Sequence, residues 1–243
     1  MDRRQTLIGL AALSWAGGGI AEGREVPQFR VSEVRVLDDK GWADRSIIAE
    51  DLQPRFAFLL QKTVHVGVPT YSAQAPSPAD QRPLRLPSFP RRNQLFPTTV
   101  EVAGHEPELA AYYRQIMELT GPEPLRREEN YWLHTGLTSE TAKGEVRFPY
   151  WDRLSEVEPF FAWLRTSPDG GADFFDADQG WMLRAARKGE RLHLQDSVLD
   201  DGEELANLSV DRSQLLTRID AGEAQAREVI GKLRQELGVD PWS

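Results

Sequence analysis

No cysteine occurs among the 243 residues. That single absence excludes disulfides, a lipid anchor on cysteine, thiolate catalysis and iron–sulfur clusters. Positive charge is also short, with 29 Lys and Arg against 38 Asp and Glu, a net charge of −9. Phosphate binding needs a basic patch, so nucleic acid is not an expected partner, and an anionic membrane surface is a poor match. The uncharged, mostly apolar run Leu7–Ala16 is shorter than the ~20 residues a bilayer requires, so no stable membrane anchor is expected. G-x-S-x-G is missing, and Gly170–Gly171 lacks the lysine of a phosphate loop. The four histidines, His65, His105, His134 and His193, have no zinc-site spacing. The sequence therefore assigns no catalytic residue, no cofactor and no metal.

What the chain does have begins at its start. Arg3 and Arg4 precede the run Leu7–Ala16, and Gly17, Gly18 and Gly19 then break any helix. Small residues at Gly19, Ala21 and Gly23 fit cleavage after Ala21 or after Gly23. The stretch "DRRQTLIG" resembles the twin-arginine (Tat) class of bacterial signal peptide, with Leu7 and Ile8 in the apolar positions after the arginine pair. Thr6 stands where a bulkier residue is commoner, and Asp2 replaces a frequent Ser or Thr. The resemblance covers residues 1–23 only. It implies that this segment is an address label, that the export machinery is a partner, and that the mature protein is periplasmic or secreted.

The mature chain keeps a net charge of −9, and most of it lies late. Residues 167–243 hold sixteen acids against nine bases. Organisation is expected in two regions, 24–125 and 126–243. Val31, Val34 and Val36 favour a strand, and Phe56, Phe58, Leu60 and Val64, Val66, Val68 give two more with a bend between them. Seven prolines between Pro69 and Pro97 predict an extended connection. "TTVEVAG" (98–104) reads as a strand. "HEPELAAYYRQIMELTGP" reads as a helix with the stripe Leu109, Tyr112, Tyr113, Ile116 and Leu119. "NYWLHTG" and "EVRFPYW" read as strands, and "SEVEPFFAWLRTS" as a short helix with Ser155 and Glu158 at capping-box spacing.

The last third is clearest. Residues 180–196 predict a hairpin turning at Lys188–Gly189, with Ala185 opposite Leu192, Leu183 opposite Leu194 and Trp181 opposite Asp196. A strand over 203–210 and a helix over 211–237 follow. Asp211 is the expected N-cap and Gly238 the stop, with a stripe of Leu215, Ile219, Gly222, Ala226, Ile230, Leu233 and Leu237. The fold class expected is α+β: an antiparallel sheet with the long C-terminal helix packed across it, with room for two small sheet-based subdomains.

Carboxylates gather in "DGGADFFDAD" and "DSVLDDGEE". Both stretches leave the same open end of the expected hairpin. Solvated turns, a docking face for a basic protein and a hard-cation site all fit such loops. The calcium pattern is fragmentary, since Arg187 occupies the position of its bidentate glutamate. The candidate contact residues are Asp176, Asp178, Trp181, Asp196, Asp200, Asp201 and Glu203. The aromatic residues Trp132, Phe148, Tyr150, Trp151, Phe160, Phe161 and Trp163 fit a core better than a ligand groove.

The function expected is an exported, non-catalytic protein-binding module of the inhibitor or immunity type. The alternatives are a periplasmic hydrolase, metal-dependent or not, and a small-ligand carrier. The address label is testable directly: Arg3→Lys/Arg4→Lys should leave uncleaved, cytoplasmic protein, whereas the native chain should appear in the periplasm beginning near Glu22 or Arg24, read by fractionation and intact mass.

Overall fold

The computed structural model describes residues 41–66, 80–121, 130–149, 151–199 and 202–242. The signal segment with Arg3 and Arg4, the strand expected over Val31–Val36, Tyr150, and Asp200 and Asp201 lie outside the described residues.

Three sheets form. Strand β1 (Ile47–Ile48) pairs in parallel with β10 (Glu204–Asp211), followed by β9 (Arg191–Val198), β8 (Trp181–Lys188) and β7 (Phe174–Asp178) in an otherwise antiparallel sheet of five. A second, antiparallel sheet has the order β2 (Gln53–Phe58), β5 (Leu133–Ser139), β6 (Gly144–Phe148). A two-stranded ribbon joins β3 (Thr63–His65) to β4 (Gln81–Pro83), so part of the proline-rich connection is strand. Four helices complete the described fold: α1 (Thr99–Val102), α2 (Glu106–Thr120), α3 (Leu154–Thr166) and α4 (Arg212–Leu237). The fold is α+β, as the sequence predicts, with the long C-terminal helix packed on sheet strand β2 and on α2.

Helix α4 shows why. The Asp211 carboxylate accepts from the Gln214 N–H, and Gly238 closes the helix in the left-handed region at φ 72°. Leu215, Ile219, Ala226, Val229, Ile230 and Leu233 are buried along one face. Gly222 interrupts that face because β2 comes too close for a side chain. A Cβ there would lie 2.6 Å from Cγ of Pro54.

Several expectations are corrected. Residues 98–104 are not a strand. Thr98 caps helix α1, accepting from the Glu101 N–H while the Glu101 carboxylate accepts from the Thr98 N–H. This reciprocal capping outweighs the strand preference of the β-branched residues. The hairpin also turns one residue later than expected. Lys188 pairs with Arg191, so Gly189–Glu190 is the two-residue loop, and Leu183 faces Asp196 while Trp181 faces Val198. The first loop position needs a positive φ, and Gly189 supplies it at 61°. The slip is two residues across the pair, so each residue keeps its face. At α3 the capping carboxylate is Glu156, which accepts from the N–H groups of Asp152 and Arg153, rather than Glu158.

One buried cluster runs from Leu52 and Phe58 through Phe148 and Leu194 to Leu233, joining the sheets to the helices. Trp242 plugs it near the C-terminus, fully buried against Phe58, Tyr113 and Tyr131 at ring distances of 5.0–5.9 Å. Phe148, Trp151, Phe160 and Phe161 belong to this core, whereas Trp132 is about half exposed. Leu119, expected on the buried stripe of α2, is exposed.

Helix propensity alone favours alanine over glycine by up to about 1 kcal/mol in a helix interior. Contact with Pro54 reverses the sign here. Gly222→Ala should lower the urea midpoint without changing the denaturant slope, and a raised midpoint would contradict the packing.

Candidate functional site

Trp181 begins β8 after a tight turn at Gln179–Gly180, where both residues have positive φ (46° and 84°) as a type I′ hairpin requires. At the same end β9 runs out into the connection to β10, and the Leu199 N–H donates to the Gly180 carbonyl at 2.6 Å. The two acidic stretches therefore do meet at the open end of the hairpin.

Their carboxylates do not all reach it. Residues 174–178 form strand β7 rather than a loop, and a strand advances ~3.3 Å per residue. Asp169 and Asp173 are carried to the opposite end. There Asp169 accepts from the Gly189 N–H and Asp173 from Arg184. Asp176 and Asp178 stay at the open end, on the same face of the sheet as Asp196, since Asp176 pairs with Leu183 and Leu183 with Asp196.

Three of the seven candidate contact residues form the inside of this end. Asp196 is fully buried. Its Oδ2 accepts from the backbone N–H and the Nε of Arg147 at 3.0 and 3.2 Å, and its Oδ1 from the indole N–H of Trp181 at 3.0 Å. Trp181 is itself buried. Half-buried Asp176 accepts from the indole N–H of Trp151 at 2.9 Å, and the two indoles meet edge to face at 5.8 Å. Asp178 and Glu203 face solvent. Trp181 and Asp196 are not directly opposite as expected, but they touch diagonally, and the contact supports the surface from beneath instead of forming it.

Burial pushes the Asp196 carboxyl above the usual range, against the lowering pull of Arg147 and Trp181. Asp51 shows the opposite case. It accepts from the hydroxyls of Ser139 and Thr141 and from the N–H groups of Glu140 and Thr141, which together hold its carboxyl far below the usual range. Those bonds clamp the turn between β5 and β6 onto the chain entering β2.

On the other face of the five-stranded sheet, His193 Nδ1 lies 3.1 Å from Ser46 Oγ. Ser46 Oγ also lies 2.8 Å from the Ala43 carbonyl and 2.7 Å from Asn207 Oδ1. Both are acceptors, so the one serine proton goes to one of them and His193 Nδ1 donates to Ser46. Burial, and then nearby Lys188, push the His193 pKa down. This geometry fastens the 3-10 turn Trp42–Arg45 to the sheet; a general base would have to accept the serine proton. His65, His105 and His134 lie on other elements, and among the described residues no three His, Asp or Glu side chains are grouped to hold a metal.

A groove of about 640 Å³ lies elsewhere, beside β2. Its walls come from residues 92–101, the β2 and β5 strands and helix α4. The sequence gives no sign of it, because Gln53, Thr138 and Gln225 are brought together from three distant segments and carry no motif.

No family model matches the chain, no curated protein matches it, and no solved structure matches it. Among the described residues no helix is long and apolar enough to cross a membrane.

The buried carboxylate yields a signed prediction. Asn at position 196 keeps one acceptor oxygen and turns an NH2 toward donors, which should cost about 1 to 3 kcal/mol. Because the folded pKa of Asp196 is raised, its contribution is fully present below the unfolded value and is lost as pH rises through the folded value. Asp196→Asn should therefore trail the native protein most near pH 3.5 and less at pH 7, by urea denaturation at each pH. A gap that widens toward pH 7 would contradict the raised pKa.

Proposed function

We propose that the protein is a periplasmic, non-catalytic binding module that docks a basic protein partner on the open end of its β8–β9 hairpin. The observation that carries this reading is the support beneath that end. Asp178 and Glu203 stand at the solvent surface over two tryptophans whose indole N–H groups are tied to Asp176 and Asp196. A surface already fixed in this way loses little conformational freedom on binding, which is the main cost of association besides lost overall motion. Clustered carboxylates at its rim speed encounter with a positive partner. The chain's net charge of −9, concentrated in its last third, adds a long-range attraction of the same sign.

Export through residues 1–23 is part of this proposal. A partner met in the periplasm or outside the cell would find a protein that needs no disulfide to hold its shape.

A small, strongly basic probe such as cytochrome c tests the surface. Asp178→Lys/Glu203→Lys should weaken its binding about tenfold at roughly 0.01 M salt, where the Debye length is ~30 Å, and by less than about twofold at roughly 1 M salt, where it is ~3 Å. Equal loss at both salt concentrations, or no loss at either, would overturn the assignment of the contact face.

A further inference from the structure

The groove beside β2 has a backbone edge in it. β2 is the edge strand of the three-stranded sheet. On its inner side odd-numbered residues bond β5: Ala57 pairs with His134, and beyond the strand the Leu59 N–H reaches the Trp132 carbonyl. On its outer side even-numbered residues bond the arriving chain. The Phe58 N–H donates to the Pro97 carbonyl and the Leu60 N–H to the Leu95 carbonyl. That outer pairing stops at the Ala57–Thr98 bridge, where the chain turns away into α1. By alternation, Phe56 turns its N–H and carbonyl outward and Pro54 its carbonyl; the Phe56 carbonyl falls within the Ala57–Thr98 bridge, which leaves the Phe56 N–H and the Pro54 carbonyl beyond it. Both residues line the groove, with α1 on one side and Gly222 and Gln225 of α4 on the other.

An acceptor and a donor two residues apart on one edge are what a single residue of a parallel strand engages, donating its N–H to the first and accepting from the second. The lining adds carboxamides and a hydroxyl at Gln53, Gln225 and Thr138, and an apolar patch at Phe96 and Val100. Its charges are balanced locally. Arg55 is 3.3 Å from Glu145, Arg92 is 3.5 Å from Glu140, and Glu101 accepts from the N–H groups of Arg92 and Thr98. A charged ligand competes with these contacts; a neutral one leaves them in place.

We propose that this groove is a second binding site, independent of the acidic hairpin end, which takes an extended, uncharged peptide segment as an added strand on the Pro54–Phe56 edge of β2. Strand addition draws its affinity from main-chain hydrogen bonds and its selectivity from side-chain pockets. The edge here is short, with proline blocking further pairing, so recognition is confined to a few residues.

The test selects dodecamers from a random phage-displayed library on the full chain, then measures the synthetic winners by fluorescence anisotropy. Uncharged sequences should be enriched. Binding should fall at least about tenfold in Thr138→Arg and in Gln225→Arg, two partly exposed positions, with thermal unfolding confirming that each variant folds, and should persist in Asp178→Lys/Glu203→Lys. The amide proton of Phe56 should shift and become protected from exchange on adding peptide. Selected peptides that leave the Phe56 amide unchanged, that are uniformly charged, or that bind both groove variants as well as the native chain would overturn the proposal. So would a library that yields no binder, or a groove that takes maltotriose and no peptide.

Discussion

One buried carboxylate ties the two larger sheets together. Asp196 belongs to the five-stranded sheet, and the donor pair it accepts from, the N–H and Nε of Arg147, belongs to the three-stranded one. The third donor, Trp181, packs edge to face on Trp151, whose own N–H holds Asp176. A fully buried carboxylate is tolerated only when its oxygens are satisfied, and removing one partner costs more than the pair contributes. The contact therefore specifies how the sheets meet. Around it, Gly144 of β6 approaches the Leu208 side chain of β10, where an added Cβ would lie 3.2 Å away. The open hairpin end is joined to this junction through Trp181 and Asp196, and the groove takes the position of β2 from the three-stranded sheet.

Local rules made much of the fold legible. Asp211 and Gly238 mark α4 because capping chemistry is read within four residues of chain. Helix α2 follows from the 3.6-residue stripe of Leu109, Tyr112, Tyr113 and Ile116. The failures share a cause. At Thr98–Val102, strand-favouring side chains and a capping box pointed to different structures, and the hydrogen bonds of the box prevailed. At Gly189, composition fixed the turn to a glycine but not the glycine's place within it. Only the left-handed backbone decided between Lys188–Gly189 and Gly189–Glu190.

The candidate contact face was legible in outline only. Two acidic stretches flanking one hairpin could be seen from the sequence. Their division could not, because a turn-rich "DGGADFFDAD" gives no sign that it pairs as β7 and carries Asp169 and Asp173 away from Asp176 and Asp178. Nor could the burial of Asp196, which depends on Arg147, 49 residues distant. Charge patterning identifies where carboxylates are concentrated. Whether each serves the surface or the core is decided by donors from other elements.

A fixed hairpin end requires the junction at Asp196 to be as stable as the core. Native-state hydrogen exchange at the Arg147 amide measures that directly, since this N–H donates to Asp196 and to no strand neighbour across the junction. Exchange is expected only through global unfolding, with the same free energy as amides of β8 and β9. Exchange through a local opening well below the global value would show that the sheets part on their own, and that the hairpin end has no fixed base.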